Sequence, residues 1–409
     1  GCSGLVAAAT DCKIKSEDKE SRVRLFWIAL TCLFSLTAVA KVPLTEALGD
    51  GPPIPGAPKL QASGYLLVDA TNGEVLVEYN ADEPLPPASL TKMMTAYIAE
   101  REIAEERASF DDKVPVSVKA WKTGGSRMFI REGTEVRLED LLRGIIIQSG
   151  NDASVAVAEY IAGSEDVFAD VMNQTAAGMG MVNSQFKNST GLPQEGHYTT
   201  AKDLGILAAR TIKDFPDTYT IYKEKNFTYN GIKQANRNNL LFRDPSVDGL
   251  KTGHTEEAGY CLVASAERDG YRLISVVMGA KTEKAREQET TKLLQYGFRY
   301  FRGQTVFAAD QPLPESSRKV WFGDAETVEL APTESLYVTL PLGRESSIQA
   351  TLDAPDTLDA PLAAGTVVGT VKIMLGERVL AESPVAVAQA VPEGGVFKRL
   401  VDFVLRLFA

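Results

Sequence analysis

The stretch Pro86-Pro87-Ala88-Ser89-Leu90-Thr91-Lys92 leads into Met93-Met94-Thr95-Ala96-Tyr97-Ile98-Ala99-Glu100, a helix-prone and largely apolar run. A helix that is apolar on all sides must be buried, so the fold has to wrap its core around this segment. The two prolines mark the start of the helix and place Ser89 near its N-terminus. Residues three apart share a helix face, so Ser89 and Lys92 stand one above the other. Unpaired N–H groups and the helix dipole favour negative charge at that end. A serine placed there has a nearby base and a backbone able to stabilise an oxyanion. The alternative is an N-capping serine followed by a solvated lysine, and Ser-x-x-Lys alone is too short a pattern to decide.

Size and charge narrow the field. The chain has 409 residues, enough for two domains or more, with 44% apolar and 24% charged residues, as in ordinary globular proteins. A net charge of −11 without a long basic run argues against nucleic acid as the main partner. Only two histidines, His197 and His254, and four cysteines without metal-ligand spacing leave few candidates for a zinc site or a histidine-based triad. No metal or other cofactor is expected.

Residues 1–40 read as an upstream segment and a signal peptide. Arg22 and Arg24 precede the apolar run Leu25–Phe34, and Ala38-Val39-Ala40 is an A-x-A cleavage site. The alternative, an uncleaved anchor, has a short apolar core for a span. Residues 1–20 fit no part of a signal peptide. Cleavage after Ala40 would remove Cys2, Cys12 and Cys32, leaving Cys261 and no internal disulfide in the exported protein.

A Pro-rich linker, 41–59, leads into the first strand. Gly64–Ala70 and Glu74–Tyr79 flank Thr71-Asn72-Gly73, a strong hairpin signal. After the Ser89 helix, 112–137 is mixed, with short strands and a turn at Gly124-Gly125. An apolar helix over Leu138–Ile147 breaks at Gln148-Ser149-Gly150-Asn151, and a buried Ala/Val-rich helix follows over Asp152–Ile161. Further helices are expected at 165–178 and 200–213, the latter opening on the capping pair Thr200 and Asp203. Strands are expected from Gly249 to His254, Tyr260 to Ala266 and Tyr271 to Met278, then a helix at about 283–301. Residues 60–304 are therefore expected to form an α+β domain, with an antiparallel sheet drawn from both ends of the segment and helices packed on it.

Residues 305–392 read as a small all-β domain of short strands and Pro-rich turns, a spacer or packing module. In 393–409, Phe397, Leu400, Val401, Val404 and Phe408 recur at helical spacing, opposite Lys398, Asp402 and Arg406. Too short to span a bilayer, this amphipathic helix fits a membrane surface, with Lys398, Arg399 and Arg406 near anionic headgroups. Docking on its own protein is the alternative.

Ser89-x-x-Lys92, Ser149-Gly150-Asn151 and Lys251-Thr252-Gly253 now fall in order, the second on a loop between helices and the third on a strand at the sheet edge. This motif set belongs to penicillin-binding proteins and serine β-lactamases. The chain resembles the low-molecular-weight penicillin-binding proteins that are D-alanyl-D-alanine carboxypeptidases, over nearly everything after the signal. The resemblance implies a β-lactamase/transpeptidase-like catalytic domain, export to the periplasmic face of the inner membrane, and removal of the terminal D-alanine from peptidoglycan pentapeptides. It also implies acylation of Ser89 by β-lactam antibiotics.

The residue types suit that chemistry. A serine hydroxyl needs a base within hydrogen-bond reach, and Lys92 serves only if neutral. Lowering a lysine from about 10.4 to about 7.5 takes roughly 4 kcal/mol; burial and repulsion from Lys251 are the sources at hand. Ser149 can pass a proton to the leaving amine, and Asn151 can hold a substrate amide. Lys251 is cast as a fixed positive charge, Thr252 as a hydroxyl for the terminal carboxylate, and Gly253 as room for an extended substrate at the strand edge. By resemblance, the backbone N–H groups of Ser89 and His254 form the oxyanion hole. Arg237 and Arg286 are further carboxylate ligands or surface ion-pair partners. The His254 ring is only a wall, and His197 is a solvated loop residue or a border of the cleft. A class A-like β-lactamase is the alternative enzyme, but Glu195 does not sit in the usual Glu-x-x-x-Asn setting. A weakly catalytic cell-wall binding or shape-maintaining protein is the third reading.

Overall fold

The computed structural model describes residues 54–408. The expected signal peptide and most of the linker lie outside them. β1 (Gly64–Asp69) and β2 (Val75–Tyr79) pair through the Asn72-Gly73 turn, and β1 then pairs antiparallel with a strand from the far end of the domain. With β3 (Val247–Thr255), β4 (Gly259–Arg268) and β5 (Tyr271–Ala280), the order is β2-β1-β5-β4-β3. β3, which carries Lys251-Thr252-Gly253, is thus an edge strand.

Side chains alternate across a strand, and here both faces are covered. Leu66, Val68, Ile274 and Val276 point into the helical layer, whereas Tyr65, Leu67, Leu273 and Val277 point the other way. This explains why β1 and β5 read as continuous apolar runs. The helical layer contains α1 (Lys92–Ala104), α2 (Leu138–Gln148), α3 (Asn151–Ala162), α4 (Glu165–Met179) and α5 (Ala201–Asp214). α1 is central: Lys92 through Glu100 are all buried. Thr200 caps α5 by accepting from the Asp203 N–H, as its spacing suggests. On the other face lies α6 (Glu283–Tyr300).

Burying α1 from Lys92 to Glu100 encloses a carboxyl. Glu100 is 1% exposed, and neither of its oxygens has a hydrogen-bond partner among the described residues, although Thr218 and Tyr222 lie close. Burial pushes its pKa up from 4.5 to about 8. The native state therefore keeps a proton that the unfolded chain loses, and stability falls as pH rises through that window. Glu100→Gln is expected to remove this slope, gaining up to about 4 kcal/mol over the parent at pH 8 and under about 1 at pH 5. Urea unfolding at the two pH values measures it; equal gains at both would contradict a buried protonated acid.

Strand β6 (Phe301–Phe307) leaves α6 and pairs with β7 (Leu336–Pro341), opening a β-rich region. Its largest sheet orders Leu330–Pro332, Arg378–Val387, Val367–Leu375 and Ile348–Asp353. One apolar cluster runs from Leu67 and Leu273 through Phe298 to Val338 and Val385. The polar part of the junction is centred on buried Asp69, which accepts from Tyr337 Oη (2.9 Å) and Thr339 Oγ1 (2.7 Å). Arg378 and Glu74 add an ion pair at 2.6 Å.

The last helix, α7 (Val396–Arg406), meets the β region through its polar side. Asp402 is buried, accepts from the Phe322 N–H at 2.8 Å and pairs with Lys398, and Arg406 pairs with Asp359 at 2.9 Å. Phe397, Leu400, Phe403 and Phe408 all face outward, at 57–86% exposure. The helix thus docks on its own protein through its charged side, and its apolar side stays uncovered. No helix among the described residues is long and apolar enough to cross a membrane.

Candidate active site

Ser89 sits one turn earlier in character than the sequence suggests. Ala88–Thr91 form a 3₁₀ turn, and the α-helix proper begins at Lys92. The tight turn still stacks the pair: Lys92 Nζ donates to Ser89 Oγ at 3.1 Å and to the Thr190 carbonyl at 2.5 Å. Lys92 is fully buried, and burial, with a smaller contribution from Arg237, lowers its pKa from 10.5 to about 7 against the opposing pull of Asp152 and Glu165. Lys92 and Lys251 repel each other, which shows as a lowering of Lys251, and Arg237 presses on both amines.

Loop 188–198 forms the floor under this turn. Gly191, at φ +79°, lies so close to Ala88 that any Cβ would run into the Ala88 carbonyl, so the position admits only glycine. His197 is not solvated: it is buried, its Nδ1 accepts from the Lys187 N–H (3.3 Å), and Nε2 therefore donates to Thr91 Oγ1 at 2.8 Å. Burial, then Lys187 and Lys92, hold its pKa down to about 4.

Across from Ser89 lies the α2–α3 junction. Ser149 is left-handed at φ 62°, ending α2, and Gly150 precedes Asn151, the first residue of α3. Asn151 Nδ2 donates to the Gly124 carbonyl at 2.6 Å, which leaves Oδ1 as the free acceptor for a substrate N–H. Ser149 Oγ and Gln148 Nε2 are likewise buried without hydrogen-bond partners among the described residues. Such groups cost about 1–3 kcal/mol each, a cost that a polar ligand in the cavity relieves.

The third wall is β3. A Cβ on Gly253 would stand 3.0 Å from the Pro87 carbonyl, so the strand presses against the Ser89 turn and brings the His254 backbone beside it. The exposed His254 ring packs on Tyr260 with centroids 4.0 Å apart, a wall as expected. Lys251 is 3% exposed, and its Nζ donates to the Thr252 carbonyl at 3.0 Å. Burial, then Lys92, Arg237 and Arg286, push its pKa well below the ordinary lysine value. These surroundings work against the fixed charge expected of Lys251, and an incoming carboxylate would favour it.

Ser89, Ser149, Arg237, Thr252, Gly253, His254 and Arg286 line one cavity of about 500 Å³, with Lys92, Asn151 and Lys251 behind its surface. Arg237 Nε donates to the Gln148 carbonyl at 2.9 Å, and buried Arg286 pairs with Glu283 at 3.0 Å. Arg286 is thus ion-paired, but buried at the cavity wall and not on the surface. Sequence reasoning passed over Gln148, Ser126, Tyr260 and Glu283, which also line it. Gln148 adjoins Ser149 directly, and its apolar approach, Ile145-Ile146-Ile147, was the available signal that it is buried.

Residues 53–282 match the D-alanyl-D-alanine carboxypeptidase family of S11 peptidases. The chain belongs to that family. Residues 301–393 match the C-terminal domain of penicillin-binding protein 5. The chain is 42% identical to the D-alanyl-D-alanine carboxypeptidase DacA of Escherichia coli over 364 residues, 87% of this chain and 90% of that protein. Its fold is similar to penicillin-binding protein 5 from Haemophilus influenzae, with a TM-score of 0.76 and 40% identity over 83% of this chain and 99% of that one. Penicillin-binding protein D2 from Listeria monocytogenes, solved with ampicillin bound, is 32% identical with a TM-score of 0.55, covering 59% of this chain and 99% of that one.

Within this family site, His197 is expected to act as a positioning residue for the Ser89 turn. His197→Ala should lower kcat for peptide hydrolysis by up to about 100-fold, the loss that a misplacement of about 1 Å can bring. His197→Gln keeps an N–H donor and should stay within about threefold of the parent. Equal losses in the two variants would assign His197 to general packing instead.

Proposed function

We propose that Ser89 is the nucleophile of a serine-type D-Ala-D-Ala carboxypeptidase and Lys92 its general base. The observation that carries this reading is a fully buried amine 3.1 Å from the Ser89 hydroxyl with a pKa near 7. Neutral Lys92 takes the Ser89 proton as Oγ attacks the penultimate D-alanine carbonyl. The backbone N–H groups of Ser89 and His254 hold the resulting oxyanion. As the C–N bond breaks, Ser149 passes a proton from Lys92 to the departing D-alanine amine. Water, deprotonated by Lys92, then cleaves the acyl-Ser89 ester. Thr252, Arg237 and Arg286 hold the substrate's terminal carboxylate, supported by Lys251, while Asn151 Oδ1 accepts from a substrate amide.

A β-lactam would enter by the same attack and leave a penicilloyl-Ser89 adduct. Incubating the protein with a D-alanyl-D-alanine peptide and, separately, with a penicillin tests the reading. Free D-alanine together with a long-lived adduct is the expected result. Rapid penicillin turnover would make it a β-lactamase, and neither reaction a binding protein.

We also propose that the uncovered side of α7 rests on the periplasmic surface of the inner membrane. Support comes from its exposed Phe and Leu side chains, since Lys398 and Arg399 are ion-paired to Asp402 and Glu393. Co-flotation with anionic vesicles, lost in Phe397→Ser/Leu400→Ser, is the test; flotation equal in both would assign that face elsewhere.

A further inference from the structure

One acid faces the cations of the catalytic cavity. Among the described residues that line it, Arg237 and Arg286 are cationic and Glu283 is the only carboxylate. Thr282 caps α6 by accepting from the Ala285 N–H, which sets Glu283 and Arg286 in the first turns, three residues apart on one face. Arg286 Nη2 donates to Glu283 Oε1 at 3.0 Å. Arg286 Nε is buried without a hydrogen-bond partner among the described residues, so Glu283 does not fill the capacity of this guanidinium. The guanidinium carbon lies 5.8 Å from the Tyr260 ring centre.

The two partners differ in freedom. The Arg286 side chain is 5% exposed and that of Glu283 is 56% exposed. A buried cation stripped of its counter-charge is strongly disfavoured, so Arg286 needs an anion at every stage. Burial works against its charge, and Glu283, then Glu287, supports it. Of these two acids only Glu283 hydrogen-bonds Arg286; the oxygens of Glu287 accept from Asn239 Nδ2 and Arg243 Nη1. Glu283 can swing into water and regain its hydration, while Arg286 stays fixed in the wall. An anion that reaches the cavity can therefore replace Glu283 without leaving the guanidinium unpaired.

Resting on the carboxypeptidase reading, we propose that Glu283 is a built-in stand-in for the terminal carboxylate of the substrate. It holds Arg286 in the empty site, gives way when the peptide carboxylate arrives, and takes Arg286 back as D-alanine leaves. The contact weakens the grip on the substrate tail, so the product, which carries the same carboxylate, does not stay bound.

The test is calorimetric binding of a D-alanyl-D-alanine peptide, and of the same peptide as its C-terminal amide, to the full chain carrying Ser89→Ala, which lacks the proposed nucleophile. With Glu283→Gln added, the free-acid peptide should bind about fivefold tighter, equivalent to about 1 kcal/mol and the upper end for an exposed ion pair. The amide should stay within about twofold. Glu287→Gln removes the other charge without releasing Arg286 and should leave both affinities within about twofold. With Ser89 restored, inhibition of turnover by free D-alanine should strengthen about fivefold in Glu283→Gln. Unchanged free-acid binding or unchanged D-alanine inhibition in Glu283→Gln overturns the proposal. Equal tightening of the amide, or equal tightening by Glu287→Gln, also overturns it, since either marks a general effect of lost negative charge. Cooperative thermal unfolding marks a variant as folded, and Glu283→Ala decides the matter should Glu283→Gln fail that check. Absence of D-alanine release by the parent would instead count against the carboxypeptidase reading, and the binding data would still decide the exchange on Arg286.

Discussion

Ser89→Ala is expected to abolish release of D-alanine and covalent labelling by penicillin together. Loss of a nucleophile that works as a unit with its base costs about 10⁴- to 10⁶-fold in kcat. The Ser89 hydroxyl sits on a 3₁₀ turn held by Gly191 from below and Gly253 from the side, so removing one oxygen leaves the cavity intact. The variant should therefore still bind the peptide, with a dissociation constant close to the parent KM. Mass spectrometry after incubation with penicillin reads the labelling. A residual adduct in Ser89→Ala would move the nucleophile to another residue.

The second large effect concerns Lys92 and runs with pH. Its folded-state pKa of about 7 means the base is mostly protonated at pH 6 and mostly neutral at pH 8. The acylation rate is expected to climb with unit slope below pH 7 and to level off above it. Lys92→Arg keeps the cation at every pH and should lose at least about 10³-fold, with no rise between pH 6 and 8. Arg237→Gln removes a charge that helps hold Lys92 down, so the midpoint should move upward. Stopped-flow acylation by a chromogenic β-lactam gives all three profiles. An ascending limb that survives in Lys92→Arg would assign the titration to a different group.

Much of this site was legible because its parts carry local signatures. The Asn72-Gly73 hairpin, the Thr200 cap and the three motifs each announce themselves within a few residues, and the motifs fell on the expected elements. What escaped reading depends on tertiary packing. His197 looked like a loop residue because nothing local shows that its loop folds under Thr91. The burial that presses on the Lys251 charge also escaped, because a strand pattern does not reveal how completely its neighbours exclude water. The hairpin at 226–235 did carry a signal, Asn230-Gly231 between Phe-Thr-Tyr and Ile-Lys-Gln, and it was passed over. The docking of α7 through its charged side required knowing that Phe322 N–H and Asp359 wait for it.

The buried meeting of Asp69 with Tyr337 and Thr339, flanked by Glu74 and Arg378 and backed by a shared apolar cluster, leaves no slack between the sheet and the β-rich region. The final helix is pinned to the same region. On the membrane footing proposed for that helix, the catalytic mouth would be carried at a set height and tilt above the bilayer, like a lamp on a stiff post. The length of the post would then decide the reach, and strands passing nearer or farther than that level would go untrimmed.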